Sequence, residues 1–267
     1  MGVFYETIPD SLKPWILDQK MLWVGTAPLA RDGHINISPK GGKSFGILSP
    51  TSFWYLDLSG SGIETLAHLH EPGNGRICIM FTAFEGSPRI VRIWGHGRAI
   101  ENGTPEFDAH VEAQKVKIIP GARSIVMVDV HQVASSCGFS VPFYEWKGWR
   151  STLDEVFAKK EKKFKEGDEK ESIDRYWAWK SQLSIDGLPG MKRGYAYAQQ
   201  NDIAPLKKMI GKYAPDPKHP RTATDASSPL QVLAIALLCF AIGVVVTLTV
   251  VDPETVRRVQ RKEFFVV

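Results

Sequence analysis

The sequence lacks the cysteine spacings that indicate a disulfide framework or a zinc site. Its 267 residues contain three cysteines, Cys78, Cys137 and Cys239, and none of them forms a CxxC pair or a Cys/His pair at zinc spacing. Cys78 and Cys239 lie within apolar runs, where a thiol behaves as a small hydrophobic group. We therefore expect free thiols, a reducing compartment and no metal site.

The sequence also lacks a concentrated stripe of basic charge. It carries 33 basic and 29 acidic residues, and the resulting formal net charge of +4 is spread along the chain. Proteins that bind nucleic acid usually gather their lysines and arginines on one face or along one helix. The charge pattern therefore argues against nucleic acid as a partner, and we expect a small-molecule substrate instead.

An N-terminal apolar run is missing too, because charged residues such as Asp10, Lys13 and Asp18 interrupt the first twenty positions. This composition excludes a secretory signal peptide at the start of the sequence. A long apolar run occurs near the other end, from Leu230 to Val251, and it contains no charged residue. A helix of this length rises about 1.5 Å per residue and spans a hydrocarbon core that is roughly 30 Å thick.

The apolar run from Leu230 to Val251 therefore predicts a single transmembrane helix. A Pro- and Ser-rich linker over 201–229 precedes it, and a short basic tail over 252–267 follows it. Because no signal peptide is evident, we expect a tail-anchored protein whose globular part lies in the cytosol. The sequence does not identify the organelle.

Short β-rich runs separated by turn residues fill the first half of the chain. These runs are rich in aromatic and β-branched side chains, as strands are. Their spacing favours a closed antiparallel barrel of six strands, since closure removes exposed edges. The predicted strands are Leu22–Ala27, His34–Ser38, Ser52–Leu58, Arg76–Phe81, Arg89–Ile100 and Ser124–Val130.

Helices are predicted between and after these strands. One lies near the N-terminus, one follows the third strand, and one begins at Thr104, a good N-cap with Pro105 at the first helical position. After Trp149 the sequence becomes helical and charged, with acidic residues alternating with lysines. We therefore predict a barrel domain over 1–150 and a helical extension over 151–200 that packs on it.

The second predicted strand has an unusual polar face. Ile35 and Ile37 alternate with Asn36 and Ser38, which predicts a half-buried strand with its isoleucines inward, and Lys40 follows between one proline and two glycines. One interpretation is an ordinary solvent-facing strand. The other is a strand whose polar face borders a ligand.

A Gly- and Ser-rich turn runs from Asp57 to Thr65 into the next helix. Free backbone N–H groups in such a turn, and the positive end of a helix dipole, favour a phosphate group. The turn is not a P-loop, because no GKS or GKT follows it. No side chain stands out as an acid or base; Tyr55, Asp57 and His96 are candidates.

Four stretches together resemble one known family. They are "WVGTAPLARDGHINISPKG", "FWYLDLSGSGIETLAHL", "GRICIMFTAFEGSPRIVRIWGHGRAI" and "SSCGFSVPFYEW", and they occur in the same order as in pyridoxamine 5′-phosphate oxidase-like proteins. The resemblance covers about residues 1–193. It implies the FMN-binding split-barrel fold, a homodimer, and a flavin held at the subunit interface.

The resemblance also implies which residues contact the flavin. Basic and hydroxyl side chains hold the phosphate in this family, and the ring lies along barrel strands. Arg92 has an alternative as a salt-bridge partner on a strand face. The implied flavin contacts are Asn36, Ser38, Lys40, Ser59, Ser61, Thr65, Arg76 and Arg92.

Two departures separate this sequence from pyridoxamine phosphate oxidases themselves. The family's Ser-Arg-Lys-like phosphate contact after the third strand is replaced by "SGSGIET", and no Arg-Leu-containing C-terminal segment is visible. The resemblance therefore implies a flavin-dependent oxidoreductase without implying vitamin B6 oxidation. Deazaflavin and heme are alternative cofactors. The alternative functions are a non-catalytic flavin or heme binder and a membrane-tethered interaction module.

Overall fold

The computed structural model describes residues 2–211, 214, 233–234, 236–242 and 244. By contacts the chain divides into two compact units, Met1–Ala223 and Thr224–Val267. The first unit contains the sheet and the predicted functional residues.

An antiparallel sheet of eight strands dominates the first unit. Seven strands follow one another in the order β3-β2-β6-β7-β8-β5-β4, and β1 pairs with β8. The predicted mainly-β antiparallel architecture is thereby confirmed. The strands are β1 Val3–Tyr5, β2 Met21–Thr26, β3 Asn36–Gly41, β4 Phe45–Ser49, β5 Ser52–Leu58, β6 Arg76–Thr82, β7 Arg89–Glu101 and β8 Ala122–Cys137.

The prediction of six strands was too low, because two short strands were missed. β1 has three residues, Val3–Tyr5, which are too few to show an alternating pattern. β4, Phe45–Ser49, contains a glycine and joins β5 through a tight turn. Both strands depend on pairing with a longer neighbour, which the local sequence does not reveal.

Helices flank the sheet at the positions where the sequence predicts them. Thr104 is confirmed as an N-cap, since its Oγ1 accepts a hydrogen bond from the backbone N–H of Phe107. The charged extension forms three helices and one short 3₁₀ turn over Glu169–Glu171. The helices are α1 Lys13–Asp18, α2 Glu64–His70, α3 Pro105–Gln114, α4 Thr152–Lys165, α5 Ile173–Lys180 and α6 Lys192–Gln200.

The main core lies on the inner face of the sheet. Aromatic rings of Phe53 and Phe81 pack edge to face there, with a centroid separation of 6.0 Å. Trp177 of α5 inserts into the same cluster and is 1% exposed. The helical extension therefore contributes a tryptophan side chain to the core of the sheet.

β3 is oriented opposite to the prediction. Ile35 and Ile37 are 76% and 70% exposed, whereas Asn36, Ser38 and Lys40 are partly buried. The pairing register explains this, because Ser38 lies opposite Val24, which is fully buried. Residues that face each other across an antiparallel pair point to the same side of the sheet. The polar face of β3 is therefore turned toward the core side.

The predicted transmembrane helix, Leu230–Val251, lies largely outside the described residues, as do the basic tail and most of the linker. Helical residues are described within that range at 233–234, 236–242 and 244. In the described part of the chain, we find no helix with the length and apolarity needed to cross a membrane. The membrane anchor stays a prediction.

Candidate functional site

A buried carboxylate lies at the centre of the polar region. Asp57, near the end of β5, is fully buried. Lys40 Nζ donates a hydrogen bond to its Oδ1 at 2.8 Å, and Arg123 Nε donates to its Oδ2 at 2.5 Å. Ser124 Oγ donates to the same Oδ2 at 3.4 Å. Three strands, β3, β5 and β8, therefore meet at one carboxyl group.

The surrounding charges keep Asp57 ionised. Burial by itself raises the pKa of a carboxyl group, but the charges of Arg123 and Lys40 and their hydrogen bonds outweigh that effect. Together they lower the pKa of Asp57 from 3.8 to about 2. The nearby Tyr55 hydroxyl is buried, and burial together with the charge of Asp57 raises its pKa. Among the described residues, this hydroxyl has no hydrogen-bond partner.

The cluster of Lys40, Asp57 and Arg123 carries one net positive charge, because two cations face one carboxylate. The two cations differ in access to solvent. The Arg123 side chain is 3% exposed, whereas that of Lys40 is 17% exposed. Lys40 is therefore the cation that a ligand arriving from solvent would meet.

The Gly- and Ser-rich loop between β5 and α2 is held at both of its ends. The N–H of Ser59 donates to the carbonyl of Gly121 at 2.8 Å, and its hydroxyl accepts a hydrogen bond from Trp177 Nε1 at 2.7 Å. Arg123 Nη1 donates to the carbonyl of Gly62 at 2.7 Å. Between these anchors Ser61 is exposed, so its hydroxyl is open to a ligand.

Polar contacts also join β3 to helix α2. Asn36 Nδ2 donates to Thr65 Oγ1 at 3.1 Å. Glu64 opens the helix, accepts a hydrogen bond from the N–H of Ile185, and forms an ion pair with Lys208. A carboxylate in the first turn disfavours a phosphate at that helix start. An anion is therefore better placed beside Lys40 than at the start of α2.

The fold thus brings four of the predicted residues together, through contacts with one another or with Asp57 and Trp177. These four are Asn36, Lys40, Ser59 and Thr65. Ser38 lies between Asn36 and Lys40 on the same face of β3, and Ser61 lies in the adjoining loop. These six positions form one polar region, which we call the β3–loop site. Their role in cofactor binding stays a prediction.

The two predicted arginines lie elsewhere. Arg76 is exposed, and it donates hydrogen bonds to the carbonyl of Pro28 and to Asn74. Arg92 lies in β7 opposite Met80 and Ala134, on the outer face of the sheet. Among the described residues, neither arginine joins the β3–loop site.

Arg123 and Trp177 are the residues that sequence reasoning missed. Arg123 stands near the start of β8, two residues before the apolar run that begins at Ile125, and a buried arginine in that position needs a charged or polar partner. Trp177 belongs to the charged extension, and the sequence around it does not indicate that its side chain contacts Ser59. Asp57, considered only as an acid or base, is the structural centre of the region.

A relative supports the family resemblance. A pyridoxamine 5′-phosphate oxidase family protein from Aspergillus flavus, ustO, is 43% identical over 147 residues, which cover 54% of this chain and 58% of the relative. The match therefore spans somewhat more than half of the relative's length. No protein-family model matches the chain. The predicted resemblance to pyridoxamine 5′-phosphate oxidase-like proteins is confirmed by this relative.

Solved structures give weaker matches. HupZ from Group A Streptococcus is 20% identical and aligns over 47% of this chain and 91% of its own, with a TM-score of 0.36. The FAD binding protein from Mycobacterium smegmatis is 13% identical over 49% of this chain and 97% of its own, with a TM-score of 0.34. Both alignments leave about half of this chain unmatched.

Proposed function

We propose that this chain, which resembles the pyridoxamine 5′-phosphate oxidase-like family, is a flavin-dependent oxidoreductase with FMN as its cofactor in a split barrel. The observation that carries the proposal is the inward polar face of β3, which ends at the net positive cluster of Lys40, Asp57 and Arg123. A bound flavin would supply the electron transfer. The side chains of the β3–loop site would bind and orient it.

The residues present fit a flavin phosphate in charge and access. The Lys40 side chain is 17% exposed, and the cluster retains a positive charge that attracts an anion. The exposed Ser61 hydroxyl can donate to a phosphate oxygen. Gly60 lies beside it in open space, which lets the backbone approach a ligand closely. Asn36 and Ser38 offer polar side chains along β3 that can form hydrogen bonds with the edge of the flavin ring.

The test is the visible absorption of the purified chain before and after FMN is added. We expect the bands of bound flavin, and we expect Ser61→Glu to weaken FMN binding by about tenfold or more, because it places a negative charge beside the phosphate. Ser87→Glu is the matched control, since Ser87 is also exposed but lies in the turn between β6 and β7. It should leave FMN affinity unchanged.

Three results would contradict parts of the proposal. A folded, colourless chain that takes up neither FMN nor deazaflavin would favour a non-catalytic interaction module. A heme spectrum in place of flavin bands would favour a heme carrier. Equal losses of FMN affinity in Ser61→Glu and Ser87→Glu would show that flavin does not bind at the β3–loop site.

The outer face of the sheet supports a second element of the proposal, a homodimer. Ile37 and Phe4 on this face are 70% and 67% exposed. Large apolar side chains that are exposed on a sheet face, here with Ile35 at 76% beside Ile37, are candidates for burial at a subunit interface. The face continues across neighbouring strands in one register row formed by Pro39, Trp23, Met80, Arg92 and Ala134.

We expect Ile37→Glu to convert a dimer into a monomer, because a charge that is buried in an apolar interface loses its water without gaining a partner. Light scattering coupled to size-exclusion chromatography measures the change. Ile210→Glu serves as the control, since Ile210 is 87% exposed and lies outside the sheet. A parent chain that runs as a monomer would exclude the homodimer.

A further inference from the structure

A cavity of about 530 Å³ lies between helices α4 and α5 and the segment that leads into β8. It is distinct from the β3–loop site, although Trp177 lines it and also donates a hydrogen bond to Ser59. Its volume is within the range of small-molecule binding pockets. Its apolar walls come from Ile118, Pro120, Phe157, Phe164, Ile173 and Trp177.

A glycine shapes one wall of this cavity. Gly121 has a positive φ of 89°, and a Cβ atom at this position would lie 2.6 Å from the ring of Phe157. Glycine therefore allows the ring of Phe157 to pack directly against the backbone before β8. Phe157 is 3% exposed, whereas Ile118 and Phe164 are 39% and 46% exposed. The cavity thus combines a packed wall with uncovered apolar side chains.

The charged side chains around the cavity are all paired with one another or with close neighbours. Lys160 forms an ion pair with Glu171. Lys165 Nζ lies 2.7 Å from Glu161 Oε1, and Arg193 lies 2.6 Å from Asp174. Lys163, which does not line the cavity, also pairs with Glu171, at 3.4 Å. A charged ligand would therefore compete with partners that these groups already have. An uncharged ligand would leave every pair intact.

We propose that this cavity binds a neutral apolar small molecule, such as one with an uncharged ring system or an alkyl chain. Preformed apolar cavities favour such ligands, because the ligand leaves water without breaking polar contacts in the protein. The uncovered Phe164 and Ile118 extend the apolar contact surface. No residue in the described cavity walls is itself a predicted flavin contact, although Trp177 and Gly121 each form a hydrogen bond with Ser59.

The test uses N-phenyl-1-naphthylamine, a neutral probe whose fluorescence rises in apolar surroundings, with the full chain. We expect saturable binding, and we expect Phe164→Glu to weaken it by about tenfold. Phe164 is half exposed, so its replacement should not unfold the protein, and Ile118→Glu provides an independent second variant. Phe143→Glu is the matched control, because Phe143 is 82% exposed and does not line the cavity.

Competition distinguishes the ligand class. Decanol should displace the probe, whereas decanoate near pH 7 should displace it poorly, because its carboxylate would disturb the paired charges. Probe binding that survives both cavity variants, or that Phe143→Glu weakens equally, would overturn the site. Displacement by decanoate that equals displacement by decanol would overturn the neutral ligand class. The probe reports no flavin, so these outcomes are independent of the absorption test.

Discussion

Replacing Asp57 with alanine is expected to lower the free energy of unfolding by about 3–5 kcal/mol, as does removal of one partner from a buried ion pair. The carboxylate holds Lys40 at 2.8 Å and Arg123 at 2.5 Å. Without it, two cations would face each other, and Arg123 is almost fully buried. Urea denaturation of the parent and variant measures the difference.

Two comparisons make the Asp57 result specific. Lys40→Met should cost clearly less, because it leaves the buried pair of Asp57 and Arg123 intact and Lys40 is the more exposed cation. Asp10→Ala removes a carboxylate that is also ion-paired, at 2.6 Å to Lys13, but is 93% exposed. It should leave the urea midpoint almost unchanged. Similar losses for Asp57→Ala and Asp10→Ala would contradict the buried cluster.

The pH dependence of stability provides a second measurement on the same pair of proteins. Folding lowers the pKa of Asp57 from 3.8 to about 2. A carboxyl group with a depressed folded-state pKa stabilises the protein above its unfolded pKa, and that stabilisation is lost as pH falls through the folded pKa. The shift corresponds to about 2 kcal/mol. The difference in the free energy of unfolding between the parent and Asp57→Ala should therefore have its full value above about pH 4 and decrease toward pH 2. A gap independent of pH would contradict an ionised Asp57.

Trp177→Ala is expected to lower the free energy of unfolding by about 3–5 kcal/mol, as large-to-small core substitutions do. Trp177 is 1% exposed and packs in the main core, although it belongs to the helical extension. Its replacement leaves a cavity and also removes the donor that holds the Ser59 hydroxyl at 2.7 Å. Thermal or urea denaturation measures the loss.

Trp177→Phe separates packing from hydrogen bonding. It keeps an aromatic ring but leaves the buried Ser59 hydroxyl without its donor, so we expect a loss of about 1–3 kcal/mol. Trp179→Ala is the matched control in the same helix, since Trp179 is 45% exposed. If Trp179→Ala lowers the free energy of unfolding as much as Trp177→Ala does, α5 is not anchored through its buried face.

Strand positions were largely predictable from the sequence, because each long strand carries its own β-rich pattern. The predicted third strand, Ser52–Leu58, agrees with β5, and the predicted strands over Arg76–Phe81 and Arg89–Ile100 each end one residue before β6 and β7. Local chemistry also determines the Thr104 cap of α3. Such features depend on residues within a few positions of one another.

The orientation of β3 shows the limit of local patterns. Alternation places Ile37 and Ser38 on opposite faces, but it does not say which face meets the core. The register with β2 decides this, because Ser38 lies opposite the buried Val24. The isoleucines are left outward, where they support the proposed dimer face.

The sequence by itself determined the strand-rich class, the helical extension and the resemblance to pyridoxamine 5′-phosphate oxidase-like proteins, since these depend on composition and on motifs within single segments. Only the tertiary structure decided that Lys40 and Arg123, 83 positions apart, share the carboxylate of Asp57. It also decided that Trp177 reaches Ser59 across 118 positions. Contacts over such distances depend on strand register and helix packing, and neither is encoded within one local stretch of the chain.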